Sequence, residues 1–133
     1  MNRILRFVSI CAVLLAMTIA FDGPASAVSG PGANGSCNQG DFCGWNNHGA
    51  GGGIFDTPYA VNGYSSYSYW GSVLGVADSV SSVRNEFVGS PVELYRDGGY
   101  QVGLHCFPKQ MVAHQDLLSS DNQASSHKGV SSC

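Results

Sequence analysis

Five short stretches of this chain carry the pattern of half-buried β-strands. They are "FCGW" at 42–45, "GIFD" at 53–56, "SSVRNEF" at 81–87, "VELY" at 92–95 and "VGLHCF" at 102–107. In the fourth, Val92 and Leu94 alternate with Glu93, the period of a strand that turns one face to a core. Gly, Ser, Asn, Asp and Pro punctuate the intervening sequence every few residues. Beyond residue 27, no stretch holds a helical period over three turns. "QMVAHQDLLSS" (110–120) is predicted to form one or two helical turns at most. "VSGPGANGS" (28–36) reads as a flexible leader. The expectation is an all-β sandwich.

The start of the chain breaks this pattern. "MNRILR" is basic, "FVSICAVLLAMTI" is an apolar run of thirteen residues, and "ASA" at 25–27 offers small residues for cleavage. This is the pattern of a secretory signal peptide over 1–27, too short for a permanent anchor. The expected product is secreted and free of the membrane, with one domain over 37–133.

An internal repeat appears when the sequence is slid by fifty residues. Phe42 falls on Val92, Trp45 on Tyr95, Gly49 on Gly99, Gly53 on Gly103 and Ile54 on Leu104. Each copy is a strand, a Gly-rich turn and a second strand. Each is followed by an acidic residue and a Ser-Ser pair, "DSVSS" at 78–82 and "DNQASS" at 121–126. Setting Asp78 on Asp121 gives an offset of forty-three and leaves seven extra residues in the first copy. Two such units, about 40–88 and 90–133, are too small to bury separate cores. Two four-stranded Greek keys packed face to face can share one. The glycines would supply positive φ in hairpins folded over their own sheets, with Trp45, Tyr95 and Tyr100 against the folds. The serine hydroxyls would bond hairpin backbone.

The extra residues fall within "YAVNGYSSYSYWGSVLGVA" (59–77), where Tyr59, Tyr64, Tyr67, Tyr69 and Trp70 lie within twelve positions. Folded inward they make a partly buried hairpin. Turned outward they would bind glycan or protein; the inward reading is preferred.

Charge excludes one class of partner. Without Arg3, Arg6 and Asp22 the chain keeps four basic and eight acidic side chains, a net charge of −4. Arg84, Arg96, Lys109 and Lys128 do not cluster, which argues against nucleic acid. Cys11 leaves with the signal, so Cys37, Cys43, Cys106 and Cys133 remain. An even count in a secreted chain favours two disulfides, with three connectivities open. The nearest-neighbour pairing, Cys37–Cys43 and Cys106–Cys133, is preferred and would contribute roughly 2.4 and 3.6 kcal/mol. Zinc is disfavoured, because there is no Cys-x-x-Cys and the histidines lack ligand spacing. His48, His105, His114 and His127 are expected on the surface. No hydrolase signature such as Gly-x-Ser-x-Gly or His-Glu-x-x-His occurs, so no enzyme activity is expected.

"WNNHGAGG" (45–52) with "ADSVSS" (77–82), and "YRDGGYQVG" (95–103) with "DNQASS", resemble the βγ-crystallin Greek key. That motif has an aromatic, four residues, a second aromatic, a Gly soon after, and later a Ser following an acidic pair. The opening "CNQGDFC" (37–43) resembles the secreted actinobacterial peptidase (metalloproteinase) inhibitor family of this fold. The likeness covers about 37–130. Departures are Ala50 in place of an aromatic, Val102 intruding before Gly103, and Ala77 in place of an acid.

The resemblance implies two functions. One is inhibition of a secreted protease by a rigid loop within "HCFPKQMVAHQ" (105–115), carried by Cys106, Phe107, Pro108 and Lys109, with Phe107 and Met111 as pocket-filling side chains. The plainer alternative, preferred for any individual residue, makes Phe107 a core residue and the rest an ordinary connection between strands. The other function is a calcium-stabilised structural or surface-binding domain. Asp121, Asn122 and Ser125 would be ligands in the second motif, and Asp78 and Ser81 in the first, with the second site tighter. No cofactor is required; calcium is the candidate. A monomer is expected.

Overall fold

In the computed structural model residues 29–133 are described; the signal sequence expected at 1–27 lies outside them. Among the described residues seven strands form two antiparallel sheets: β1 (Phe42–Asn47), β2 (Gly51–Thr57), β3 (Ser82–Asn85), β4 (Val92–Asp97), β5 (Gln101–Phe107), β6 (Gln115–Asp116) and β7 (Ser126–Gly129). All five predicted strands are present. The first sheet runs β2-β1-β3-β6 and the second β5-β4-β7. β1 and β4 stand fifty residues apart, as do β2 and β5, so the repeat in the sequence is a repeat in the structure.

The halves interlock. β6 belongs to the second half but pairs with β3 of the first sheet, Val83 opposite Gln115. Val61 belongs to the first half but bridges His127 in β7 of the second sheet. Each half therefore completes the other's sheet. The second sheet receives only this one bridge, not a full fourth strand. Between the sheets lies one core, centred on Phe42, Phe55, Tyr64, Val83, Leu94 and Phe107.

Each hairpin folds back through three left-handed residues. Gly49, Ala50 and Gly52 have φ of 68°, 56° and 76°. Gly99, Tyr100 and Val102 match them at 73°, 61° and 56°. Val102 thus occupies the position of Gly52 and does not merely precede Gly103. A β-branched residue at positive φ is strained by about 1–2 kcal/mol. Glycine there loses about 0.5–1 kcal/mol of the gain to backbone entropy. Val102→Gly should therefore stabilise by about 0.5–1 kcal/mol in urea unfolding, and an unchanged or lower midpoint would refute the strain. The reverse change is worse. A Cβ on Gly52 would lie 2.2 Å from Asn46 Oδ1, which accepts the Gly53 N–H.

The Ser-Ser pairs hold these hairpins as expected. Ser82 Oγ donates to the Asn47 carbonyl at 2.7 Å and accepts the Ala50 N–H. Ser126 Oγ donates to the Asp97 carbonyl at 2.7 Å. Ser82 and Ser126 make the true offset forty-four, with six extra residues. Asp78 corresponds to Asn122, and both carry positive φ, at 52° and 55°.

Three other expectations change. The 110–120 segment forms no α-helical turn; it is extended at β6 and closes with a 3-10 turn at Leu118–Ser120. The leader expected over 28–36 is fastened from Ser29 onward. Asn34 N–H and Gly35 N–H both donate to the buried Asp56 carboxylate, and Thr57 Oγ1 donates to the Pro31 carbonyl. His127 is not a surface residue but is fully buried, stacked 4.2 Å from Phe42. The Tyr-rich stretch divides. Tyr64 and Tyr69 are buried, Tyr67 is half-buried, and Tyr59 and Trp70 are exposed.

Candidate functional site

The loop after β5 is held at both ends. Cys106, in β5, is bonded to Cys133, and Cys37 to Cys43. This is the preferred pairing of the three, and among the described residues every cysteine is in a disulfide. Phe107 faces Val92 across the β4–β5 ladder and is fully buried, so it anchors the loop and cannot enter a partner's pocket. Pro108 and Lys109 are exposed. Of the four residues expected to carry inhibition, two are therefore base and two are surface.

Asn85 fixes the loop from beneath. It is fully buried at the end of β3, and its amide nitrogen faces the carbonyls of Phe107 at 3.3 Å and Pro108 at 3.0 Å. Its own carbonyl accepts the Met111 N–H at 2.8 Å, while Arg84 Nε donates to the Met111 carbonyl at 3.2 Å. Arg84 in turn pairs with Glu86. Met111 packs partly against the core. Beyond it Val112 stands 96% exposed, followed by exposed Ala113 and His114. Buried polar groups cost free energy unless bonded, so Asn85 ties these backbone positions firmly. Nothing in "SSVRNEF" marked Asn85. A buried Asn at a strand end looks like any turn-forming Asn.

The acidic/Ser phrases lie in two clusters, each shared between the halves. Ser81 Oγ lies 3.1 Å from the Asn46 carbonyl and 3.4 Å from Asn122 Oδ1. Ser125 Oγ donates to Asp78 Oδ1 at 2.8 Å. Asn122 thus faces the first motif's serine, and Ser125 faces the first motif's acid. The grouping of Asp121, Asn122 and Ser125 as one ligand set is divided. Asp121 accepts from His48 at 3.2 Å. The Ser81 hydroxyl and the His48 imidazole hold its carboxyl below the usual range, against the effect of partial burial. Its Oδ1 is buried and makes no hydrogen bond of good geometry within the protein, the nearby Ser81 hydroxyl being turned to the Asn46 carbonyl. Among the described residues no three His, Cys, Asp or Glu side chains converge for a metal ion.

The family model of peptidase inhibitor family I36 matches residues 30–107. The chain belongs to peptidase inhibitor family I36. One solved structure, reported under "Evolution of the eye lens beta-gamma-crystallin domain fold", superposes on 74% of this I36 chain and 93% of its own, with a TM-score of 0.58 and 18% identity. At that identity the likeness speaks for the fold alone, and it agrees with the two-sheet repeat. No curated protein matches the sequence. The family is one of peptidase inhibitors. The matched stretch ends at Phe107, immediately before the exposed part of the loop.

Proposed function

We propose that this I36 member inhibits a secreted peptidase by presenting residues 108–114 as a pre-formed loop with Val112 at its tip. The observation that carries this reading is the contrast along the loop. Its base is pinned by Cys106, Phe107 and Asn85, while Val112 is almost wholly in solvent. A loop already ordered loses little conformational entropy on binding, and a cut in it leaves both ends in place. Secretion is supported by the signal pattern at 1–27 and by the two disulfides, which persist in oxidising compartments.

The test is a panel of secreted metallo- and serine peptidases assayed with stoichiometric protein. At least one should be slowed. Val112→Asp should weaken that inhibition by about 30-fold or more, the loss of a central interface anchor, with an unchanged melting temperature. A panel in which nothing is slowed ends the proposal. Inhibition indifferent to Val112 moves the site elsewhere.

A second reading, calcium binding, is favoured by the pairing of Ser81 with Asn122 and of Ser125 with Asp78 across the halves. Calcium takes six to eight oxygen ligands. These side chains, the Asn46 carbonyl and the partnerless Asp121 oxygen are donors of the right kind. Few are charged, so weak affinity is expected. Calcium at millimolar levels should raise the melting temperature of EDTA-treated protein by mass action. A flat titration removes this reading.

A further inference from the structure

We propose that Tyr59 and Trp70 form an aromatic platform that binds a neutral polysaccharide built of flat pyranose rings. Tyr59 is 58% and Trp70 48% exposed, although three other aromatics of the same stretch turn inward. Both rings lie on glycine backbone. A Cβ on Gly35 would stand 2.5 Å from Trp70 Cδ1, and one on Gly32 would stand 3.2 Å from Tyr59 Cε2. The indole of Trp70 is thus backed by Gly35, and the Tyr59 ring edge sits beside Gly32 and Pro58, with about half of each residue left to solvent. Sugars stack their C–H faces on such rings, and two-torsion aromatics lose little entropy in the contact.

The backbone beneath the two rings is short and tied down. Gly32 and Gly35 are three residues apart, so their separation is at most about 11 Å. Their segment is tied to Asp56 by the Asn34 and Gly35 amides. The backbone N–H of Trp70 donates to the Ile54 carbonyl at 2.7 Å, fixing the main chain that carries the indole at the edge of the first sheet. Val73, 85% exposed, and Leu74, 46% exposed, extend the apolar surface on the same turn.

Charge selects the ligand. No Asp, Glu, Lys, Arg or His occurs in 29–38 or in 57–77, whereas Ser and Asn are frequent there. An anionic or cationic partner would find no counter-charge in either segment. Hydroxyls and amides suit a polyhydroxylated neutral chain. The site is separate from the inhibitory loop and stands without it. A peptidase inhibitor so equipped would be retained where polysaccharide accumulates.

The experiment is co-sedimentation of the disulfide-bonded protein with microcrystalline cellulose and, separately, with chitin, across a range of salt. The two arms distinguish plain from N-acetylated glucose polymers. Retention should persist at high salt and fall about tenfold in Trp70→Ala and in Tyr59→Ala, with unchanged melting temperatures. Iodide quenching gives a second readout on the unaltered protein. Trp45 is only 9% exposed, so quenching reports on Trp70, and the matching soluble oligosaccharide should protect it. Retention on neither polymer overturns the proposal, as does retention that survives loss of Trp70. Trp70-dependent self-association without retention overturns it in favour of contact with a second copy.

Discussion

Lowering the pH from 7 to 4.5 should cost about 2.5 kcal/mol of folding stability through one side chain, His127, whose folded pKa is pushed down from 6.5 to about 3. The cause is burial. His127 is enclosed by Phe42, Tyr64 and the Tyr59 backbone. Nε2 lies 3.0 Å from the Tyr59 carbonyl, which only accepts, so Nε2 carries the proton. Nδ1 then accepts the Tyr64 hydroxyl at 2.7 Å. A second proton on Nδ1 would place a cation in an apolar core and force the Tyr64 hydroxyl to turn from donor to acceptor. Between pH 6.5 and 3 the unfolded chain therefore binds a proton that the folded chain refuses, and stability rises with pH across that window. Above 6.5 the effect vanishes. Urea unfolding at both pH values measures it. His127→Gln would be less stable at pH 7, yet should lose less on acidification. Equal losses in the two proteins would show that His127 is not responsible.

The second large effect is loss of the Cys106–Cys133 disulfide. Closing a loop with a sequence separation of 27 restrains the unfolded chain by about 3.6 kcal/mol. In a domain of this size that is on the order of 15 °C in melting temperature. Replacing both cysteines by Ser should therefore cost more than replacing Cys37 and Cys43, whose separation is 6. The bond also spans the second sheet, from β5 to the tail beyond β7, with β4 between them. If the 108–114 loop inhibits, the Cys106/Cys133 double variant should lose potency even at temperatures where it remains folded. The Cys37/Cys43 variant should not. Similar destabilisation by the two pairs would contradict the loop-length account.

The strands were legible where side chains alternate or are β-branched, as in "VELY", because such runs fit only a half-buried pleat. β7 was not. "SHKG" has no aliphatic residue, and its core contact is a histidine. β6 is two residues long and exists because β3 offers an edge. The repeat was legible in its aromatics and glycines, but the Asp-on-Asp alignment erred by one. Side-chain identity was followed there, while the structure preserves backbone conformation, left-handed at Asp78 and Asn122. The leader misled for a similar reason. Its Gly-rich composition suggests freedom, and the carboxylate that holds it, Asp56, lies some twenty residues away. At the candidate loop, Pro108 and Lys109 are exposed, while Phe107 takes the core place that was its alternative reading. An apolar residue ending a strand looks the same whether it faces the core or a partner. Asn85 and the exposed Val112 depend on long-range packing and left no local trace.

The crossed pairing of β6 with β3, and of Val61 with His127, carries a liability. Since each sheet is finished by residues from the opposite unit, two molecules can finish one another's sheets through the same hydrogen bonds. Only the connection between Asn85 and Val92 must open for the exchange, so concentrated protein refolded from denaturant should contain entwined dimers.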